Sequence, residues 1–161
     1  MGTLCDDLPG HVAKIVKEWD LFSRRESQLA QLPTGHRWDS LPKTTNGLLE
    51  ASLCRPQDAA TQRELVSAAL EHGQDRRADG VSPDVIFAEY SVLHYAIWHH
   101  FQQVMSGGMR LDAILKIDMS ISLATRASLS GYHRAEMEAT GSWAGIIDYL
   151  IGEALVFSRG A

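Results

Sequence analysis

Apolar residues recur along this chain at intervals of three and four, and runs alternating apolar with polar residues are nearly absent. The first spacing gathers side chains on one face of a helix; the second would mark a strand. Asn46-Gly47 and Asp79-Gly80 could close hairpins, but neither is flanked by β-rich runs. The first predicted helix starts at Pro9, places Val12, Ile15, Val16, Trp19 and Phe22 on one face, and stops before Pro33-Thr34-Gly35. Ser40-Leu41-Pro42 opens a short second helix carrying Leu48, Leu49 and Leu53, ended by Cys54-Arg55-Pro56. Asp58 caps a third, with Leu65, Ala68, Ala69 and His72 along one stripe and Gly80 as its stop. Ser82 and Pro83 start a fourth, whose face of Ile86, Tyr90, Leu93, Ile97, Phe101 and Val104 continues until Gly107-Gly108.

The fifth helix is expected to be the longest, from Leu111 to about Glu138, with no proline and no glycine before Gly131. Leu111, Ile114, Leu115, Ile121, Leu129 and Tyr132 trace one stripe. Ile117, Met119, Leu123 and Ala124 spread apolar groups around the rest, as in a central, buried helix. Ser120, Ser122, Thr125 and Ser128 are small enough to let neighbours approach closely. Ser142 caps a last helix with Trp143, Ile146, Ile147, Leu150, Ile151, Leu155 and Phe157, an apolar set wider than one face. Such a set packs across the domain or meets a second copy, the dimer slightly favoured. Unequal helix lengths and varied connections predict an all-α fold: a single globin-like orthogonal domain of about six helices over residues 1–161.

Composition narrows the function. A chain of 161 residues, 45% hydrophobic, is of ordinary single-domain size. A formal charge of -5 argues against a nucleic-acid groove, which needs clustered Lys and Arg. The only basic pairs, Arg24-Arg25 and Arg76-Arg77, read as solvated helix faces. The N-terminus is acidic where a secretory signal would be basic, then apolar. The stretch from Trp143 to Phe157 holds Asp148 and Glu153 and is too short to cross a bilayer. Cys5 and Cys54 form no CxxC or paired framework and fit a reducing compartment, so a soluble cytoplasmic protein is expected.

Motifs for chemistry are sparse. No Gly-x-Ser-x-Gly turn accompanies the serines, histidines and aspartates, and no glycine-rich phosphate loop is present. His94, His99 and His100 share a helix without sharing a face. His133 and Glu136 do share one, but a di-iron bundle needs Glu-x-x-His on two helices and further carboxylates. These histidines read as surface or edge-of-core residues. Asp118 falls on the apolar stripe of the fifth helix, where a carboxylate is costly unless paired. It reads first as a structural partner, and second as a polar anchor in a ligand pocket. Tyr90, His94, Trp98 and Phe101 make an aromatic strip, which is more often plain core than the lining of a small-molecule cavity.

Four segments, in order, carry a resemblance: Trp38-Asp39-Ser40-Leu41-Pro42, His72-Gly73-Gln74-Asp75-Arg76, Glu89-Tyr90-Ser91-Val92-Leu93, and Ile117-Asp118 followed by Tyr132. Over roughly residues 10–135 the chain resembles the RsbRD-type N-terminal domain, the input domain of stressosome proteins and of many bacterial sensor histidine kinases. The resemblance implies a globin-like helical module without haem, usually dimeric, that passes a signal to an output domain. Where that family commonly shows Arg after its Glu-Tyr-x-x-Leu motif, this chain has His94. Sensor globins that bind haem place a ligating His about four residues before a Gly-aliphatic-x-Pro turn. Here the turn is Gly80-Val81-Ser82-Pro83 and the matching residue is Arg76, which stays protonated and has no free lone pair. His72 stands one turn earlier, about 6 Å along the axis.

The expected function is therefore a non-catalytic sensory and interaction module with no cofactor and no metal. Its expected partners are a second copy of the chain, a signalling output protein such as a kinase, and a small-molecule ligand held by Tyr90, His94, Trp98 and Asp118. Neither nucleic acid nor a membrane is expected as a partner. The alternatives are a haem-binding gas sensor using His72 or His94, and a metal-dependent enzyme using His94, His133, Glu136 and Asp118.

Overall fold

Local punctuation sets most helix ends. The computed structural model describes residues 4–30, 32, 35, 40–105 and 107–159, and all regular structure among them is helical. A 3-10 turn, Leu4–Asp7, leads into α1 (Leu8–Ser23), with Pro9 in its first turn as expected. The short α2 (Ser27–Ala30) follows, then α3 (Leu41–Leu49), which runs on into a π-helical turn, Glu50–Cys54. Then come α4 (Ala59–Ala78), α5 (Asp84–Val104), α6 (Leu111–Tyr132), α7 (Arg134–Ala139) and α8 (Trp143–Arg159). Asp58 does cap α4: its carboxylate accepts from the Thr61 amide at 3.0 Å and the Thr61 hydroxyl at 2.6 Å. Gly80 and Gly141 end α4 and α7 at φ of 71° and 73°, a region that L side chains rarely adopt.

Two expected helices are broken. The first ends at Ser23, not near Pro33, and the Ser23 hydroxyl there donates to the Asp20 carbonyl. Residues 33, 34 and 36–39, including Trp38 and Asp39, lie outside the described residues. The fifth expected helix ends at Tyr132 rather than Glu138. His133 leaves the helical region, at φ -96° and ψ 16°, and α7 restarts as a separate piece.

The all-α expectation holds, and α6 is the central element, packed against α3, the π turn, α4, α5 and α8. Its buried face overlaps the expected apolar stripe only at Ile121 and Tyr132. Ile117, Ile121, Ala124, Ala127, Ser128 and Gly131 face inward, whereas Leu111 and Leu115 are exposed. The buried face is the one with the smallest residues, because α4 crosses there at backbone contact. A Cβ on Gly73 would stand 1.7 Å from the Ser128 carbonyl oxygen, and one on Gly131 would stand 2.0 Å from that of Leu70. Close approach at small residues was expected on α6; the glycines carry it.

The core joins residues from Leu8 to Ala154. In α8, Leu150 and Ala154 are buried, with Ile146 and Ile151 partly so, where the helix packs on α4 and α6. Much of that apolar set is therefore covered within the chain, while Tyr149 and Val156 stay exposed. The side chain of Phe157 lies outside the described ones. Cys5 and Cys54 are paired in a disulfide, with Cα atoms 5.6 Å apart across a separation of 49 residues. This corrects the expectation of two unpaired thiols. The reversal of the chain between α1 and α3 brings the N-terminal 3-10 turn against the π turn, a proximity no spacing rule could register.

Candidate functional site

A charged network lies inside the fold, between α4 and α5. His72 and Arg76 are four residues apart on α4 and so share a face. Glu89 sits on α5, which follows the Gly80 turn. All three side chains are almost sealed from solvent, at 2%, 1% and 2% exposure. Arg76 is thus not part of a solvated face, as its pairing with Arg77 suggested. Its Nε donates to Glu89 Oε1 at 2.8 Å, and its Nη1 donates to Asp79 at 3.1 Å. Nη2 lies 2.7 Å from the same Glu89 oxygen, close enough for ion pairing though too far off axis for a hydrogen bond.

Glu89 Oε2 and His72 Nε2 are 3.0 Å apart. An ionised carboxylate only accepts, so Nε2 carries the proton, while Nδ1 meets the Ser40 hydroxyl at the start of α3. Burial pushes the Glu89 carboxyl up, but the hydrogen bonds and charges of His72 and Arg76 outweigh it and hold the carboxyl below its ordinary value. Burial would likewise lower the Arg76 guanidinium; Glu89 and Asp79 raise it instead. The Glu89 backbone carbonyl also accepts from Trp19 Nε1 at 3.0 Å, so one residue ties α1 and α4 to α5.

Tyr90, the next residue, continues the polar thread. Its hydroxyl lies 2.8 Å from Ser128 Oγ on α6, and that serine donates to the Ala69 carbonyl of α4 at 2.8 Å. Burial, first of all, raises the Tyr90 phenol far above its usual range, so it stays protonated. At the far end of α6, the Tyr132 hydroxyl donates to the Val81 carbonyl at 2.7 Å, fastening the α4–α5 turn.

The four residues expected to hold a ligand separate into two places. Tyr90 belongs to the interior, and the space it shares with Leu41, Thr44, His72, Glu89 and Leu93 has no room for a water. His94, Trp98 and Asp118 come together outside. His94 Nε2 is 2.8 Å from Asp118 Oδ1, and the His94 and Trp98 rings are 6.1 Å apart between centroids. Asp118 is 43% exposed, because the buried face of α6 is turned away from the stripe that seemed to contain it. A carboxylate there needs no buried partner. A roomier groove lies elsewhere, about 650 Å³ between α1 and α5, lined by Lys14, Lys17, Glu18, His100 and Gln103 among others.

Metal and haem chemistry can be tested against these positions. Asp118 and His133 are fifteen residues apart along α6 and its end, about 22 Å of helix, so one ion cannot bridge them. Glu136 pairs instead with Arg77 at 2.8 Å. Among the described residues no three His, Cys, Asp or Glu side chains converge as a metal would require. For haem, both ring nitrogens of His72 are already engaged, and the space beside it is filled. His94 and His99 are part-exposed as expected, whereas His100 is buried and meets His11 at 2.8 Å.

Sequence spacing placed His72, Arg76 and Glu89 in a shared motif pattern without bringing them together. The available signal was the four-residue spacing of His72 and Arg76 beside a tight turn, with a carboxylate on the returning apolar helix. No described helix is long and apolar enough to cross a membrane. Neither a curated protein nor a solved structure matches the chain. A family model, the RsbT co-antagonist protein rsbRD N-terminal domain, matches residues 13–144. That span takes in α4, α5, α6 and the whole buried network, so the motif order and the internal ion pairs are features of one domain. The chain belongs to the RsbRD N-terminal domain family.

Proposed function

We propose that this chain is a non-catalytic sensory and interaction module of stressosome-type signalling, acting in the bacterial cytoplasm. It relays a signal to a kinase- or stressosome-type output through a helical dimer. The observation that carries this reading is family membership across 13–144, which includes the network joining α1, α3, α4 and α5. The buried acid–base groups are committed to one another with no space for a substrate, which suits a scaffold better than turnover.

The dimer reading favours the outer face of α5 over that of α8. Phe87 and Tyr95 are exposed there, and Leu111 and Leu115 are exposed at the start of α6. A second copy covering them would remove apolar surface from water, which drives self-association. His94, Trp98 and Asp118 lie on the α5–α6 side of this region and are our proposed ligand or partner contacts, with the Tyr90 hydroxyl thread behind them.

Light scattering on the eluting protein tests the dimer. The wild-type chain is expected to run as a dimer at micromolar concentration, and a Phe87→Glu/Leu115→Glu variant to need about tenfold more protein to associate. A wild-type monomer at high concentration that also recovers no signalling protein from lysate would remove this reading. An unchanged dimer in the double variant would move the interface elsewhere.

A further inference from the structure

We propose that Cys5 and Cys54 form a reversible dithiol–disulfide couple that sets the state of the π-helical joint between α3 and α4. This inference is independent of the signalling role above. The pair closes across 49 residues at a Cα separation of 5.6 Å, within the ordinary range for a disulfide. The position is open to exchange. Cys5 is exposed and Cys54 half-buried, unlike a bond sealed in a core.

Location gives the bond its consequence. Cys54 is the last residue of the π turn, closed by the Arg55 amide donating to the Glu50 carbonyl at 2.7 Å. Such turns are rare and often mark functional sites, and they persist where neighbours hold them. Here the Gln62 amide group donates to the Ala51 and Pro56 carbonyls at 2.9 and 3.0 Å, and the Ser52 hydroxyl donates to the Leu48 carbonyl at 2.7 Å. The disulfide adds the one covalent hold, tying the turn to the segment before α1. The π turn packs directly on α6, so loosening it reaches the centre of the fold.

The oxidant is a low-molecular-weight disulfide of the glutathione kind. The Cys5 thiolate attacks one of its sulfurs and expels a thiolate, leaving a mixed disulfide on Cys5. The Cys54 thiolate then attacks the Cys5 sulfur and expels the second thiolate. Two protein thiols are oxidised, one small disulfide is reduced to two thiols, and the two protons lost by the cysteines go to the leaving groups. Reduction is the reverse.

The test equilibrates the full chain in reduced and oxidised glutathione at graded ratios, quenches with acid, and counts free thiols by maleimide mass addition. Hydrogen exchange across residues 50–58 is measured in the two end states and in Cys5→Ser. The expected result is one transition in which both thiols disappear together, with no disulfide between chains. Exchange at 50–58 should be about tenfold faster in the reduced chain than in the oxidised one, with Cys5→Ser matching the reduced form. Thiols that stay free in oxidised glutathione, glutathione adducts without ring closure, or a covalent dimer would overturn the proposal. So would a bond that survives every ratio, or equal exchange in the two states. Should Cys5→Ser fail to fold, the reduced wild type alone still decides the comparison.

Discussion

Replacing Glu89 by glutamine is expected to destabilise the fold by about 3–5 kcal/mol, the cost of leaving a buried charge without its partner. Arg76 would keep only Asp79, at the edge of the interior, and the His72 Nε2 proton would face a neutral amide. Denaturant unfolding at neutral pH measures the loss, and a cost below about 1 kcal/mol would mean that water reaches these groups. A double substitution, Arg76→Met with Glu89→Leu, should recover most of it, because isosteric apolar pairs often replace buried ion pairs without loss. The pH dependence has a definite sign. The Glu89 carboxyl is held below its ordinary value in the folded chain, since His72 and Arg76 outweigh the effect of burial. Its stabilising contribution is therefore complete above the ordinary, unfolded value and disappears as the pH falls through the lower folded one. Wild-type stability should fall more steeply than that of Glu89→Gln in that acidic window.

The second large effect is expected at the α4–α6 crossing. Gly73→Ala would put a methyl group 1.7 Å from the Ser128 carbonyl oxygen, and Gly131→Ala one 2.0 Å from the Leu70 oxygen. Both obstacles are backbone, so neither can move aside without opening the crossing. The helix-propensity gain of alanine over glycine, about 1 kcal/mol, is outweighed by an overpacking cost of about 3 kcal/mol or more. Gly145→Ala and Gly152→Ala on α8 make the opposite case, since nothing stands within 4 Å of either added Cβ. These two should stabilise the protein by about 0.5–1 kcal/mol each. Four thermal melts read the contrast, and equal behaviour of the two pairs would show that α4 and α6 do not meet at backbone contact.

The helix pattern was legible where its chemistry is local. Pro9 at a first turn, Asp58 as a cap, the Ser82-Pro83 restart and the Gly80 stop each act within a few residues, and each lies at or within a residue or two of a helix boundary. Orientation was less legible. On α6 large apolar residues pointed to Leu111 and Leu115, but the face nearest α4 is selected for smallness, which a count of hydrophobic positions ignores. Asp118 was misplaced into the core for the same reason. The Arg76–Glu89–His72 network escaped because charged residues are ordinarily read as solvent-facing, and only the three-dimensional placement of α5 reveals that they cancel one another. The Cys5–Cys54 pair was hidden by a separation of 49 residues, over which sequence carries no distance information.

The interlocked glycines also limit how this domain can move. With Gly73 pressed on the Ser128 carbonyl and Gly131 on that of Leu70, a piston-like slide of α4 along α6 would drive side-chain-bearing positions into main chain within a residue's rise. The two helices must then travel as one rigid body. Rearrangement inside the domain is then left to the elements packed around that fixed spine.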